Sequence, residues 1–141
     1  MRRLPAAIAI VFAAISILAS GCASPAEKKY AGKSIAITDS VLVHGGADTL
    51  RLGSMFRREV VQKNFRLVNA TEKTVVLLGY DTTCGCTQLL YDRKVLKPHE
   101  YCDMTCRYDS AGEYGWTMTV VSLRMAGTDE TFDIFVECEV K

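Results

Sequence analysis

From Phe132 onward, Phe132, Ile134, Val136, Cys138 and Val140 share one parity, opposed by Asp133, Glu137 and Glu139. Successive strand side chains point to opposite faces, so a period of two fits a half-buried β-strand and no helix. The same period places Cys102, Met104, Cys106 and Tyr108 together. It also sets Val61, Phe65 and Leu67 against Gln62, Asn64 and Arg66. Residues 116–125 and 132–140 read as a hairpin around Ala126-Gly127-Thr128-Asp129, and Thr49-Leu50-Arg51-Leu52-Gly53 alternates before a glycine. Thr74-Val75-Val76-Leu77-Leu78 is apolar on both parities, as a central strand would be. Ile35-Ala36-Ile37 and Val41-Leu42-Val43 are short β-branched runs that end at His44-Gly45-Gly46. Asn69-Ala70-Thr71-Glu72-Lys73 and Asp109-Ser110-Ala111-Gly112 read as polar turns. About seven short strands, with a turn about every ten residues, predict an all-β antiparallel sandwich.

The amino-terminal residues stand outside that pattern. Met1-Arg2-Arg3 is basic, residues 4–18 form an uncharged apolar run, and the run closes on Leu18-Ala19-Ser20-Gly21-Cys22. The run is too short for a membrane-spanning helix, which needs about 20 apolar residues, and suits an export signal. Small residues before a cysteine resemble the bacterial lipobox, with Ala19 where that motif usually carries Leu. This reading makes 1–21 a cleaved signal peptide and Cys22 the lipidated residue. Acyl chains contribute about 0.8 kcal/mol per buried methylene, so a three-chain anchor holds without a spanning helix. Ala23-Ser24-Pro25-Ala26-Glu27-Lys28-Lys29 reads as a tether, and residues 35–43 either add an edge strand or belong to that tether. The folded domain is expected over 48–141. Ala23 in place of an acidic residue favours sorting to the outer membrane of a bacterial envelope. Without Arg2 and Arg3 the 17 basic residues fall to 15 against 16 acidic ones, a net charge of −1. That balance does not favour nucleic-acid binding, which demands a basic face.

Several segments follow one another in a recognisable order: Leu52-Gly53-Ser54-Met55, Phe65-Arg66-Leu67-Val68-Asn69, Thr82-Thr83-Cys84-Gly85-Cys86-Thr87, Leu96-Lys97-Pro98, Tyr108-Asp109 and Gly115-Trp116. This series resembles the bacterial family called domain of unknown function 1573. The resemblance covers roughly Asp48 to Val140, most of the chain after Cys22, and the Cys-Gly-Cys-Thr run is its most specific piece. It implies an immunoglobulin-like fold and an envelope location, and no enzyme activity. Pro98-His99 replaces the family's usual Pro-Gly. Cys102, Cys106 and Cys138 stand where Gly or an aliphatic residue is usual.

Of the six cysteines, five remain once Cys22 is set aside, an odd number that leaves at least one thiol unpaired within the chain. Cys102 and Cys106, four apart on one strand, would lie roughly 13 Å apart, too far to bridge. Cys84 and Cys86 would share a face at roughly 6.6 Å in an extended strand. A disulfide there requires Gly85 to bend the chain, and it would be strained and easily reduced. Two such thiolates can instead grip a soft ion such as Cu(I). Against both stands the plain alternative that all five are small core residues, because free cysteine is among the most buried types. This alternative suits Cys102, Cys106 and Cys138 best, since they continue the core parity. Cys84 and Cys86 are expected at the end of a central strand, beside the loop after Gly53 and the turn at Gly112. Cys138 and Cys106 should approach that pole, and Cys102 should lie at the other.

No other constellation carries chemistry. His44 and His99 fall in turn-like segments and read as solvated, with His99 the nearer in sequence to serve a thiol as base. Trp116 reads as core, and Arg57-Arg58 as a solvated loop tip. The expected function is therefore a lipid-anchored, non-catalytic module with no cofactor, engaging an envelope protein or glycan. The alternative is copper binding or thiol redox chemistry through Cys84 and Cys86.

Overall fold

In a computed structural model, residues 30–141 are described; the expected signal segment, Cys22 and the Ala23–Lys29 tether lie outside them. The chain folds as an immunoglobulin-like sandwich of two sheets. Its strands are β1 (Lys33–Ile37), β2 (Gly46–Met55), β3 (Val60–Asn69), β4 (Val75–Thr82) and β5 (Thr87–Leu90), then β6 (Val95–Leu96), β7 (Tyr101–Asp109), β8 (Gly115–Met125) and β9 (Thr131–Val140). One sheet runs in the order β1-β3-β7-β5, the other β2-β9-β8-β4-β6. The alternating segments deliver their apolar parity inward. Phe65, Leu67, Met104, Leu123, Ile134 and Val136 are all buried between the sheets. Among the described residues no helix is long and apolar enough to cross a membrane.

Among the described residues the strands number nine rather than about seven, and the sheets are mixed rather than antiparallel: β1 pairs parallel with β3, and β2 parallel with β9. Ile35 and Ile37 are 2% and 0% exposed, so this first strand completes the core. The folded unit therefore begins before Asp48. Val41-Leu42-Val43 is not a strand but lies in a short helix, α1 (Asp39–His44). Thr38 caps it by accepting the Val41 N–H at 3.4 Å, and Asp39 favours its first turn. Its exit needs Gly45, whose φ of 73° is strained for any side chain, and an added Cβ would stand 3.0 Å from the Thr131 carbonyl oxygen. Residues 74–78 are central only at their start, because β6 covers β4 just at Val75 and Val76, and Leu78 is exposed.

The two ends of the sandwich differ chemically. At the end where β3 finishes and β7 begins, Asn69 is fully buried. Its carboxamide donates to the Lys73, Leu96 and Lys97 carbonyls and accepts from the Thr71 N–H and hydroxyl. His44, His99 and Cys102 belong to this end; His99 is exposed and paired with Glu72 at 2.7 Å. The other end gathers Met55, Tyr108, Cys138 and Val140 into a small cluster, against which Leu52, Val61 and Cys86 pack.

Candidate functional site

The second pole is where β4 leaves its sheet. Thr83 ends the backbone pairing with β8, donating its N–H to the Val120 carbonyl (3.1 Å) while its Oγ1 accepts the Val120 N–H (2.9 Å). The chain then crosses to β5 in the opposite sheet through Cys84-Gly85-Cys86, which lie in a turn and not on a strand. Gly85 bends the chain so that the two Cα atoms come within 5.2 Å, and a disulfide joins Cys84 to Cys86. The Thr87 N–H closes the turn onto the Cys84 carbonyl at 3.2 Å, and the Cys86 N–H donates to Cys84 Sγ at 3.1 Å. Both cysteines are half-buried, while Gly85 is exposed. The Cys86 carbonyl accepts the Asp109 N–H (2.9 Å), which fixes the turn to β7.

Glu113 joins this pair from the turn between β7 and β8. One of its carboxylate oxygens and both sulfurs lie within 4.8 Å of one another. The turn is held by Ser110, buried, whose hydroxyl donates towards the Phe56 (2.8 Å) and Glu59 (3.0 Å) carbonyls. The loop after Gly53 and the turn at Gly112 thus meet beside the disulfide. Nothing in the sequence period pointed to Glu113, because an acidic residue in a Gly-flanked turn looks like an ordinary solvated charge.

Behind the turn the core is unusually polar. Thr87 and Thr119 are buried and share a hydrogen bond at 2.9 Å. Thr117 Oγ1 lies 3.0 Å from both the Tyr108 hydroxyl and Cys138 Sγ. Burial pushes the Tyr108 phenol up to about 12, with Cys138 adding to the rise. It pushes the Cys106 thiol up to about 11. The Cys106 thiol and the Tyr108 phenol are therefore protonated at neutral pH. Cys102, Cys106 and Cys138 are all free and buried. Neither histidine can serve as a base for Cys84 or Cys86, because both stand at the opposite pole, and His99 is ruled out for that role.

Trp116 overturns its assignment to the core: it is 66% exposed on the outer face of the sheet, with Tyr114 77% and Met118 46% exposed beside it. The inward positions of this part of β8 are Thr117 and Thr119. The outward tryptophan borders a shallow groove over β9 with Arg51, Glu137 and Glu139, floored at Gly53 and Cys138. Among the described residues no strand pairs with β8 on the β4 side beyond Val121. Val120 turns its backbone groups to that side, so by alternation Met118 and Trp116 do as well. The pole thus combines an open strand edge, a row of exposed apolar side chains and a disulfide-closed turn.

Such an arrangement defines an immunoglobulin-like β-sandwich domain. The chain belongs to the family described as protein of unknown function (DUF1573), whose pattern matches residues 44–140. None of the curated proteins matches it. Among solved structures it is similar to a protein of unknown function from Porphyromonas gingivalis W83, at 16% identity and a TM-score of 0.56 over 64% of this chain and 43% of that one. It is also similar to the VesB protease of Vibrio cholerae, at 15% identity and a TM-score of 0.51, over 64% of this chain and 30% of that chain. The chain spans less than half the length of either structure, and at such identities the likeness concerns the fold alone.

Proposed function

We propose that this is a lipid-tethered, non-catalytic binding module of the bacterial envelope, sorted to the outer membrane, which takes an extended segment of an envelope protein along the open edge of β8. The observation that carries this reading is the departure of β4 at Thr83, which among the described residues leaves the backbone of Trp116 and Met118 unpaired on the side away from β9. An unpaired edge offers N–H and C=O groups that natural proteins usually blunt. Here the edge is flanked instead by exposed Tyr114, Trp116 and Met118. A partner strand would gain main-chain hydrogen bonds from the edge and side-chain selectivity from the aromatic rings. The other long edge, β2, carries a bulge between Arg51 and Gly53, a feature that discourages pairing.

The test is Met118→Pro. Proline is tolerated at an edge position whose N–H faces away from the ladder, so the pairing with β9 should survive while the free donor is lost. A photo-crosslinking side chain at Trp116 should give an adduct of discrete mass with an envelope protein in intact cells. The same label at Val43, at the opposite pole, should give none. Combining the label with Met118→Pro should reduce the adduct at least tenfold. An undiminished adduct, or one formed with glycan rather than protein, would sink the proposal.

A further inference from the structure

We infer that the Cys84–Cys86 turn is a redox-gated zinc site, closed to metal as a disulfide and open to it as a dithiol, with Glu113 as the third ligand. This inference does not depend on strand addition at β8. Three donor atoms already converge, since both sulfurs and a Glu113 oxygen lie within 4.8 Å of one another. Zinc takes thiolates at about 2.3 Å and carboxylates at about 2.0–2.2 Å in a tetrahedron, which puts neighbouring donors about 3.5–3.8 Å apart. Once the sulfurs separate on reduction, the carboxylate needs to advance by only about 1 Å. Glu113 is half-buried in a turn, and Gly85 between the cysteines carries no side chain to resist the adjustment: a Cβ there would meet nothing within 4 Å.

The donor set selects the metal. Two sulfurs alone would suit Cu(I), but a carboxylate is a hard ligand, and a mixed sulfur–oxygen tetrahedron suits Zn2+. Three protein ligands leave the fourth position to water. The backbone favours charge on one sulfur in particular, because the Cys86 N–H points at Cys84 Sγ at 3.1 Å. The free thiols Cys102, Cys106 and Cys138 are buried, and burial raises the first two above the ordinary thiol range. They compete poorly for an ion, which needs thiolates.

Opening the site requires an external dithiol as reductant. Its thiolate attacks Cys86 Sγ, the Cys84–Cys86 bond breaks, and Cys84 leaves with the electron pair, stabilised by the Cys86 N–H. The reductant's second thiol then attacks its own mixed-disulfide sulfur and releases Cys86. Two electrons and two protons pass to the turn, and the reductant leaves as a disulfide. Binding Zn2+ to the dithiol returns two protons to solvent.

The experiment uses the full-length chain with Cys22→Ser, so that no amino-terminal thiol contributes. Zinc is titrated against a chromophoric chelator before and after reduction with a phosphine, under anaerobic conditions. The reduced chain should bind one Zn2+ and the oxidised chain none. Bound Zn2+ should protect Cys84 and Cys86 from alkylation, read residue by residue by mass spectrometry. Glu113→Gln should weaken binding at least tenfold, and Co2+ in the site should show a thiolate charge-transfer band. Equal binding by oxidised and reduced protein, undiminished affinity in Glu113→Gln, or protection confined to the buried thiols would overturn the inference.

Discussion

Cys106 is a thiol that the fold keeps neutral. Burial pushes it from an ordinary 9.0 up to about 11, with the nearby Cys138 adding to the rise. A group whose pKa is raised on folding contributes stability below its unfolded value and loses it as pH climbs towards the folded one. Stability is therefore expected to hold steady below about pH 9 and then to fall by roughly 1.4 kcal/mol per pH unit. The Tyr108 phenol, pushed up to about 12, should extend the decline. Urea midpoints measured from about pH 8 to 11 will show this, and Cys106→Ala should flatten the first part of the curve. A wild-type profile that stays flat through that window would contradict it. Period alone made the burial of Cys106 legible, since Met104 and Tyr108 share its parity. Glu113 and Asn69 were not legible. One sits in a turn and acts through neighbours distant in sequence. The other looks like a turn residue until its five hydrogen-bond contacts are seen across the end of the sandwich. Trp116 misled for a related reason: aromatic size argues for burial, but strand parity at Thr117 and Thr119 turns the indole outward.

At the level of elements, β1 decides where the folded unit begins. Ile35 and Ile37 are buried in the main core, and Lys33 reaches across to Asp48 on β2 at 2.7 Å. Burying an isoleucine stabilises by about 1.5–3 kcal/mol, so two contribute roughly 3–6. Set against a typical total of about 5–15 kcal/mol, that is a large share. A fragment starting at Asp48 should therefore have a much lower urea midpoint than one starting at Tyr30, or be unfolded. Identical midpoints would show that β1 is dispensable. The sequence left residues 35–43 open between strand and tether because β-branched runs on either side of Thr38 look alike. What separates them is local: Thr38-Asp39 caps a helix, and Gly45 ends it. The mixed sheets escaped notice for a different reason. Parity states which face is buried but is silent on which neighbour a strand chooses.

For the whole molecule, the proposal of a lipid-tethered module places the membrane attachment at Cys22. Cys22→Ser is expected to abolish fatty-acid labelling and to move the protein from the membrane fraction to the soluble one, because acyl chains supply the apolar area. A variant still labelled and still sedimenting with membranes would refute the anchor. The sandwich and the inward faces of its strands were readable from one sequence because each rests on local pattern, whereas Cys84 and Cys86, expected at a strand end, lie in the turn that crosses between the sheets. The pole's open edge was not readable, since it exists only where two sheets part company.

The parallel pairing of β1 with β3 has a mechanical consequence. A pull arriving through the residues before Lys33 runs along the axis of β1, at right angles to its ladder with Phe65 through Asn69. The ladder is then loaded in shear, so its rungs must give way together rather than open one after another as in a peeled hairpin. The Arg66 guanidinium, 4.2 Å from the Tyr30 ring centre and 3.6 Å from that of Tyr101, lies where such a load would enter. A domain hung from its amino terminus while a partner tugs at β8 would be held by a seam loaded in shear.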